Sequence, residues 1–217
     1  MLMLRIPTAA ALCCCLLALT GCKIVSTADK NKAASAHSAE AADKGFDAKV
    51  AALWPSKVLP YAQAKAGKFQ DVQAAVAAGV DTAGAKYGYR EKEGSGPWTL
   101  LARIDGKIVA ANTGSRAATI DVDVDGDGKA DVQIQIGPVI RGTAIRDSLD
   151  FVNFNDFTNQ IDFAQFGKAF NTFANENVLK LVSRDALVGK SVTVLGAYPL
   201  PLSGQLPLVT PLQIEVK

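Results

Sequence analysis

Thr119-Ile120-Asp121-Val122-Asp123-Val124-Asp125-Gly126-Asp127-Gly128-Lys129-Ala130-Asp131-Val132-Gln133-Ile134-Gln135-Ile136 is the run that sets the class of the fold. Ile120, Val122 and Val124 alternate with Asp121, Asp123 and Asp125, and Val132, Ile134 and Ile136 alternate with Gln133 and Gln135. A period of two puts one side chain in the core and the next in water. The two runs therefore predict a hairpin with one buried and one wet face. Upstream, Trp98, Leu100, Ala102 and Ile104 alternate in the same way until Gly106, and an apolar stretch resumes at 108–111. Asp105-Gly106 is either a tight hairpin turn or a bulge in one long bent strand.

Downstream, Phe163, Phe166, Phe170 and Phe173 recur at helical spacing and predict a helix over about 160–181. The stripe reads as core. Strands are predicted again over 191–197 and 208–216. Two or three strands, a helix, then two strands define an α+β fold: an OB-like, partly open antiparallel β-barrel with an inserted helix. The alternative is an antiparallel sheet with helices on one side.

An Ala-rich helical segment precedes the barrel. Phe46, Val50, Leu53 and Trp54 give helical spacing over 46–59, with Pro55 and Pro60 expected to break or bound the helix. Phe69, Val72, Val76 and Val80 put a second helix over 69–87. The charged, Gly-rich stretch 88–97 reads as a loop. Four regions follow: 1–21, 22–44, a helical segment 45–97 and a barrel domain 98–217.

The first region is an address. Arg5 precedes an apolar run from Ala9 to Leu19 that is shorter than the roughly 20 residues a membrane-spanning helix needs. It has the form of a signal-peptide core. Leu19-Thr20-Gly21-Cys22 resembles the bacterial lipobox, in which the cysteine receives lipid and the chain is cut before it. Acyl chains of the palmitate type on Cys22 would hold the protein to a membrane, since each buried methylene contributes roughly 0.8 kcal/mol. The expected location is the periplasmic face of a bacterial membrane. Lys23, where an Asp would favour inner-membrane retention, tilts that expectation toward the outer membrane. Residues 23–44, rich in Ala, Ser, Lys and Asp, read as a flexible tether.

Composition narrows the chemistry. Cys13, Cys14 and Cys15 leave with the signal and Cys22 is spent on lipid, so the mature chain has no disulfide or thiol nucleophile. The one histidine, His37, lies in the tether. Neither a Ser-His-Asp site nor a histidine-rich zinc site can be assembled from it. Formal charge is +2 for the 217-residue chain, and loss of Arg5 brings it nearer neutrality. That argues against a nucleic-acid partner, which calls for a clustered basic face.

Two constellations carry possible chemistry. Asp123, Asp125, Asp127 and Asp131 stand at positions 1, 3, 5 and 9 of a loop, with Gly128 at 6 and the Lys129 carbonyl at 7. Calcium takes six to eight oxygens, and alternate residues on a tight loop converge on one point. Ile134 replaces the bidentate Glu of a helix–loop–helix hand, so a structural calcium loop on a β-hairpin is the closer fit. The plain alternative is a solvated acidic turn.

The second constellation spans Arg141, Gly142, Thr143, Arg146 and Asp147, and continues to Asn155, Asp156, Asn159 and Gln160. Two arginines could clamp an anionic ligand, with glycines opening backbone N–H groups to it. Alternatively, Arg146 pairs with Asp147 or Asp156 while Asn and Thr side chains cap the following helix.

The lipobox, Gly-Pro-Val-Ile-Arg-Gly-Thr-Ala-Ile-Arg-Asp (137–147), Phe-Asn-Asp-Phe-Thr-Asn-Gln (154–160) and Gly-Lys-Ser-Val-Thr-Val-Leu-Gly (189–196) together resemble an uncharacterised family of predicted periplasmic lipoproteins. The resemblance covers most of the chain after Trp98. Members are often encoded beside sugar ABC-transporter genes, which implies an accessory role in uptake, with a transporter permease or solute-binding protein as partner. The resemblance assigns no catalytic or binding residues. Three functions stay open: a non-enzymatic accessory or binding lipoprotein, a calcium-stabilised envelope module, and a glycan hydrolase using a carboxylate pair among Asp147, Asp150, Asp156 and Asp162.

Overall fold

Gly106 decides how the first long strand runs. A β-carbon there would run into the Asp123 carbonyl oxygen and lie 2.6 Å from Val122 Cγ1. The absence of a side chain lets the neighbouring strand cross close, and Asp105-Gly106 lies within one bent strand, β3 (Thr99–Asn112), instead of forming a hairpin turn. In this computed structural model, which describes residues 45–91 and 96–217, β3 therefore serves two partners. Residues 99–107 pair antiparallel with β6 (Ser191–Pro199), and residues 107–112, through a bulge between Ile108 and Ala110, with β4 (Thr119–Asp123).

β4 forms the expected hairpin with β5 (Val132–Gln135). β5 lies parallel to β7 (Leu208–Val216), which returns antiparallel to β6. The order β3-β4-β5-β7-β6 closes on itself through the β3–β6 pairing. The OB-like barrel predicted from the strand–helix–strand pattern is present as a closed five-stranded ring. Two-residue strands β1 (Gly67–Lys68) and β2 (Gly88–Tyr89) add to β3 outside the ring.

Apolar residues of alternate phase fill two cores. Ile104, Ile120, Ile134, Val194 and Val209 belong to the barrel interior, together with Phe69 and Val72 of α3 (Phe69–Ala78). Leu101, Leu195, Ala197 and Leu212 point the other way and are covered by helices. These are α1 (Phe46–Leu53), α2 (Leu59–Lys65) and α6 (Gln160–Asn177), the helix inserted between β5 and β6. Phe166 and Phe170 of the predicted stripe are fully buried here, with Phe163 and Phe173 packed at the margin. Burying a side chain of this size contributes roughly 1.5–3 kcal/mol.

Several boundaries differ from the expectation. Pro55 and Pro60 do not end the first helix. A π-turn at Trp54–Val58 takes in Pro55, the Leu59 N–H bonding back to the Trp54 carbonyl, and Pro60 falls in the first turn of the helix that continues to Lys65, where its missing N–H costs little. The second helix is two: Gly79 is extended (φ 173°), separating α3 from α4 (Val80–Tyr87) and leaving Val80 exposed instead of on the buried face. The stretch predicted as loop from residue 88 opens with β2. The helix predicted to 181 stops at Asn177, and a 3₁₀ turn, Leu179–Leu181, follows. The hairpin's polar face is not wholly wet, because Asp123 and Gln135 are buried with bonding partners. Cys22, the 23–44 stretch and His37 lie outside the described residues. Among the described residues, no helix is long and apolar enough to cross a membrane.

Candidate functional site

The acidic hairpin folds around its own backbone. Gly126 and Gly128 take positive φ (87° and 85°), the left-handed region glycine tolerates at least cost. This turn lets both carboxylate oxygens of Asp123 accept loop amides, from Gly126 at 2.7 Å and Gly128 at 2.8 Å. Asp131 accepts from the Val124 N–H at 2.7 Å. Asp123, Asp125 and Asp131 bring carboxylate oxygens within 4.8 Å of one another. Asp127, the fourth predicted ligand, turns instead to Lys129, whose backbone N–H and ammonium group hold its carboxyl below the usual carboxylate range. Three carboxylates would leave carbonyls and water to complete the six to eight oxygens of a calcium shell.

The arginine segment splits in two. Thr143, Arg146 and Asp147 converge on the short helix α5 (Ala144–Asp147). Arg146 is buried and spends its donors internally: Nε on Asp147 Oδ1 (2.8 Å), Nη1 on the Phe163 carbonyl (2.8 Å) and Nη2 on Thr143 Oγ1 (3.2 Å). Its guanidinium lies 3.7 Å from the Phe163 ring centroid, and Thr143 Oγ1 donates to Asp147 Oδ2 at 2.6 Å. Gly167 on α6 makes room for the cation, since a β-carbon there would sit 2.9 Å from Arg146 Nη1. Of the two readings of this segment, the Arg146–Asp147 pair is the arrangement present.

Arg141 stands apart and exposed, its backbone clasped by Gln135. Gly142 (φ 77°) turns the chain and offers its carbonyl to Asn171. Asn155 and Gln160 are exposed. Asn153 and Asp156 cap the 3₁₀ turn Phe154–Asp156, and Asn159 Oδ1 accepts from the Asp162 N–H at 3.0 Å to cap α6.

Arg146 and Asp147 line a cleft of about 230 Å³ that sequence reasoning did not assemble. Its other walls are Tyr89, Arg90, Glu91, Gly96, Pro97 and Thr99 from around β2 and the start of β3, with Val152, Phe163 and Pro199. Tyr89 Oη donates to Asn153 Oδ1 (3.1 Å), and Glu91 Oε1 accepts from the Phe154 N–H (3.0 Å), so the 88–91 stretch is pinned against the α5–α6 connection. Of Asp147, Asp150, Asp156 and Asp162, only Asp147 lines this cleft, and its carboxylate companion there is Glu91. Glu91 and Tyr89 had no local signal, because their role comes from contacts more than 60 positions away in the chain.

The chain belongs to the family of predicted periplasmic lipoproteins designated DUF2291, whose model matches residues 12–215. That membership supports a periplasmic, lipid-anchored location. No curated protein matches the chain. A crystal structure of an OB-fold protein from Thermotoga maritima is similar at 19% identity, with a TM-score of 0.60, over 79% of this chain and 98% of that one. At that identity the likeness establishes the fold alone.

Proposed function

We propose that this lipoprotein is a non-enzymatic accessory protein that binds a small polar ligand in the Arg146–Asp147 cleft and serves a sugar ABC transporter. The observation that carries the reading is the cleft itself. Donors and acceptors (Tyr89, Glu91, Thr99, Asp147) stand around an apolar wall of Val152, Phe163 and Pro199, the mixed lining typical of ligand sites. The buried Arg146 positions Asp147 and has most of its donors committed, which suits a rigid binding wall better than a clamp for a highly charged anion. Neither histidine nor cysteine occurs after His37 in the chain, so an enzyme here would depend on carboxylates, lysine or tyrosine. The transporter link rests on the family resemblance, and a lipid anchor would suit it by holding a binding module near a membrane partner.

The test is thermal shift of the soluble domain against a panel of monosaccharides and small carboxylates. A ligand at 100 times its Kd adds about 2.7 kcal/mol. The reading expects at least one ligand to raise Tm, with the rise lost in Asp147→Asn. A flat panel removes the ligand-binding half of the proposal.

A second reading has a specific observation behind it. Asp123, Asp125 and Asp131 converge, which favours a structural calcium ion on the β4–β5 hairpin.

A further inference from the structure

The connection between β6 and β7 is an exposed apolar segment. No charged residue lies between Ser191 and Ile214. At the tip Leu202 is 74% exposed and Leu206 44%. The tip is a shaped turn: the Gln205 N–H bonds to the Leu202 carbonyl at 3.0 Å, and Gly204 takes φ 80°, the geometry that presents residues on either side of a type II turn. Two leucines held out in water by proline-flanked backbone mark a contact surface.

What stands at the root of this loop identifies the surface it meets. The Leu200 N–H donates to the Trp98 carbonyl at 2.8 Å. The Arg90 guanidinium lies 4.6 Å from the centroid of the Trp98 ring, and the indole N–H donates to Asp81 at 2.8 Å. Arg90 pairs with Asp81 at 3.5 Å, so no net charge stands behind the leucines; what the root of the loop supplies is a half-buried indole, the ring type that sits at membrane interfaces.

The point where the chain joins the fold is linked to this loop through a row of aromatic contacts. Phe46 has its ring 6.2 Å from Phe157, which is 5.3 Å from Phe163, and Phe163 shares the cleft wall with Pro199 at the start of the loop. From Cys22 to Gly45 the chain can span at most about 80 Å when fully extended. A lipid on Cys22 would therefore keep the domain within that distance of the bilayer, close enough for this loop to touch it.

We propose that the 200–206 loop seats on the lipid bilayer, inserting Leu202 and Leu206 into the interface and turning the Arg146–Asp147 cleft toward the membrane. The proposal rests on the lipid-anchored location and is independent of what the cleft binds.

The test uses the full lipidated protein in vesicles of phosphatidylethanolamine and phosphatidylglycerol. Lipid occupies Cys22, so Leu202→Cys supplies one free thiol for an environment-sensitive fluorophore. Val188→Cys is the control: it is 60% exposed and precedes the start of β6, whereas Leu202 follows its end. The expected result is a blue-shifted emission at 202, quenched by lipids carrying a spin label, with a water-like emission at 188. Adding Leu206→Asp should abolish the shift at 202. A water-like emission at 202, equal shifts at both sites, or a shift that needs a second membrane protein overturns the proposal. Flotation separates the two premises. A chain that floats without a shift at 202 refutes the loop's role alone, and a chain that does not float refutes the anchor and the proposal together.

Discussion

Replacing Arg146 with Met should cost about 3 kcal/mol of stability, at the lower end of the 3–5 kcal/mol seen when one partner of a buried pair is removed. The size follows from what is left behind. The Phe163 carbonyl loses its 2.8 Å donor, and an unsatisfied buried acceptor costs about 1–3 kcal/mol. Asp147 loses both guanidinium contacts, but its side chain is 37% exposed, so water replaces part of what is lost. Thr143 still donates to Asp147, which limits the disorder. Met fills much of the volume over Phe163, so little is added for a cavity. A domain with a typical stability of about 5–15 kcal/mol would survive the change. Urea unfolding should show a lower midpoint at unchanged m. Arg146→Lys should recover less than half, because an ammonium cannot span Asp147, Thr143 and the Phe163 carbonyl at once. A loss below about 1 kcal/mol for Arg146→Met would show that the network does not hold this wall, and the cleft's rigidity would have no basis.

Other consequences are separable. Tyr198 is fully buried with its hydroxyl unpartnered among the described residues, so Tyr198→Phe should leave the melting temperature equal or higher, by up to about 1 kcal/mol in stability. Burial raises the phenol pKa of Tyr198, and burial with the Asp150 charge raises Tyr61 to about 12. A raised tyrosine pKa gives stability that is whole below the unfolded value near 10 and declines as pH rises through the folded value. Alkaline denaturation should therefore begin above about pH 10 and become shallower in Tyr61→Phe. Calcium should raise Tm relative to chelator, with the difference gone in Asp123→Asn; identical melting curves would leave the acidic hairpin as a solvated turn. Gly106→Val should cost at least about 1–3 kcal/mol by forcing β3 and β4 apart, read as a drop in urea midpoint.

The sequence carried the barrel where periodicity was local. Alternation in the β4–β5 run, the Phe163–Phe173 stripe and the two C-terminal strands each reported an apolar face, and each apolar face packs into a core. Prolines 55 and 60 misled because the first falls in a π-turn and the second in the opening turn of the next helical stretch, where a missing N–H is tolerated. Gly106 was ambiguous for a different reason: only the approach of β4 separates a bend from a turn. Arg146 and Asp147 of the cleft, with Thr143 that bonds to both, were legible as a cluster since they share one helical turn and its N-cap. Tyr89, Glu91 and Thr99 were not, because the β2–β3 pairing and the Glu91–Phe154 bond bring them there from far along the chain. Asp156 and Asn159 act as caps in the fold, a role that draws on the same side chains as ligand binding, while Asn155 and Gln160 are exposed.

The most direct test of the accessory role is crosslinking in living cells through a tag on the C-terminus, followed by identification of what leaves the membrane with the protein. An accessory role should yield recovery of one transporter's permease or solute-binding protein, well above an unrelated lipoprotein control. Recovery of nothing beyond that control would contradict the accessory role and leave the cleft to act on a free ligand or an envelope polymer.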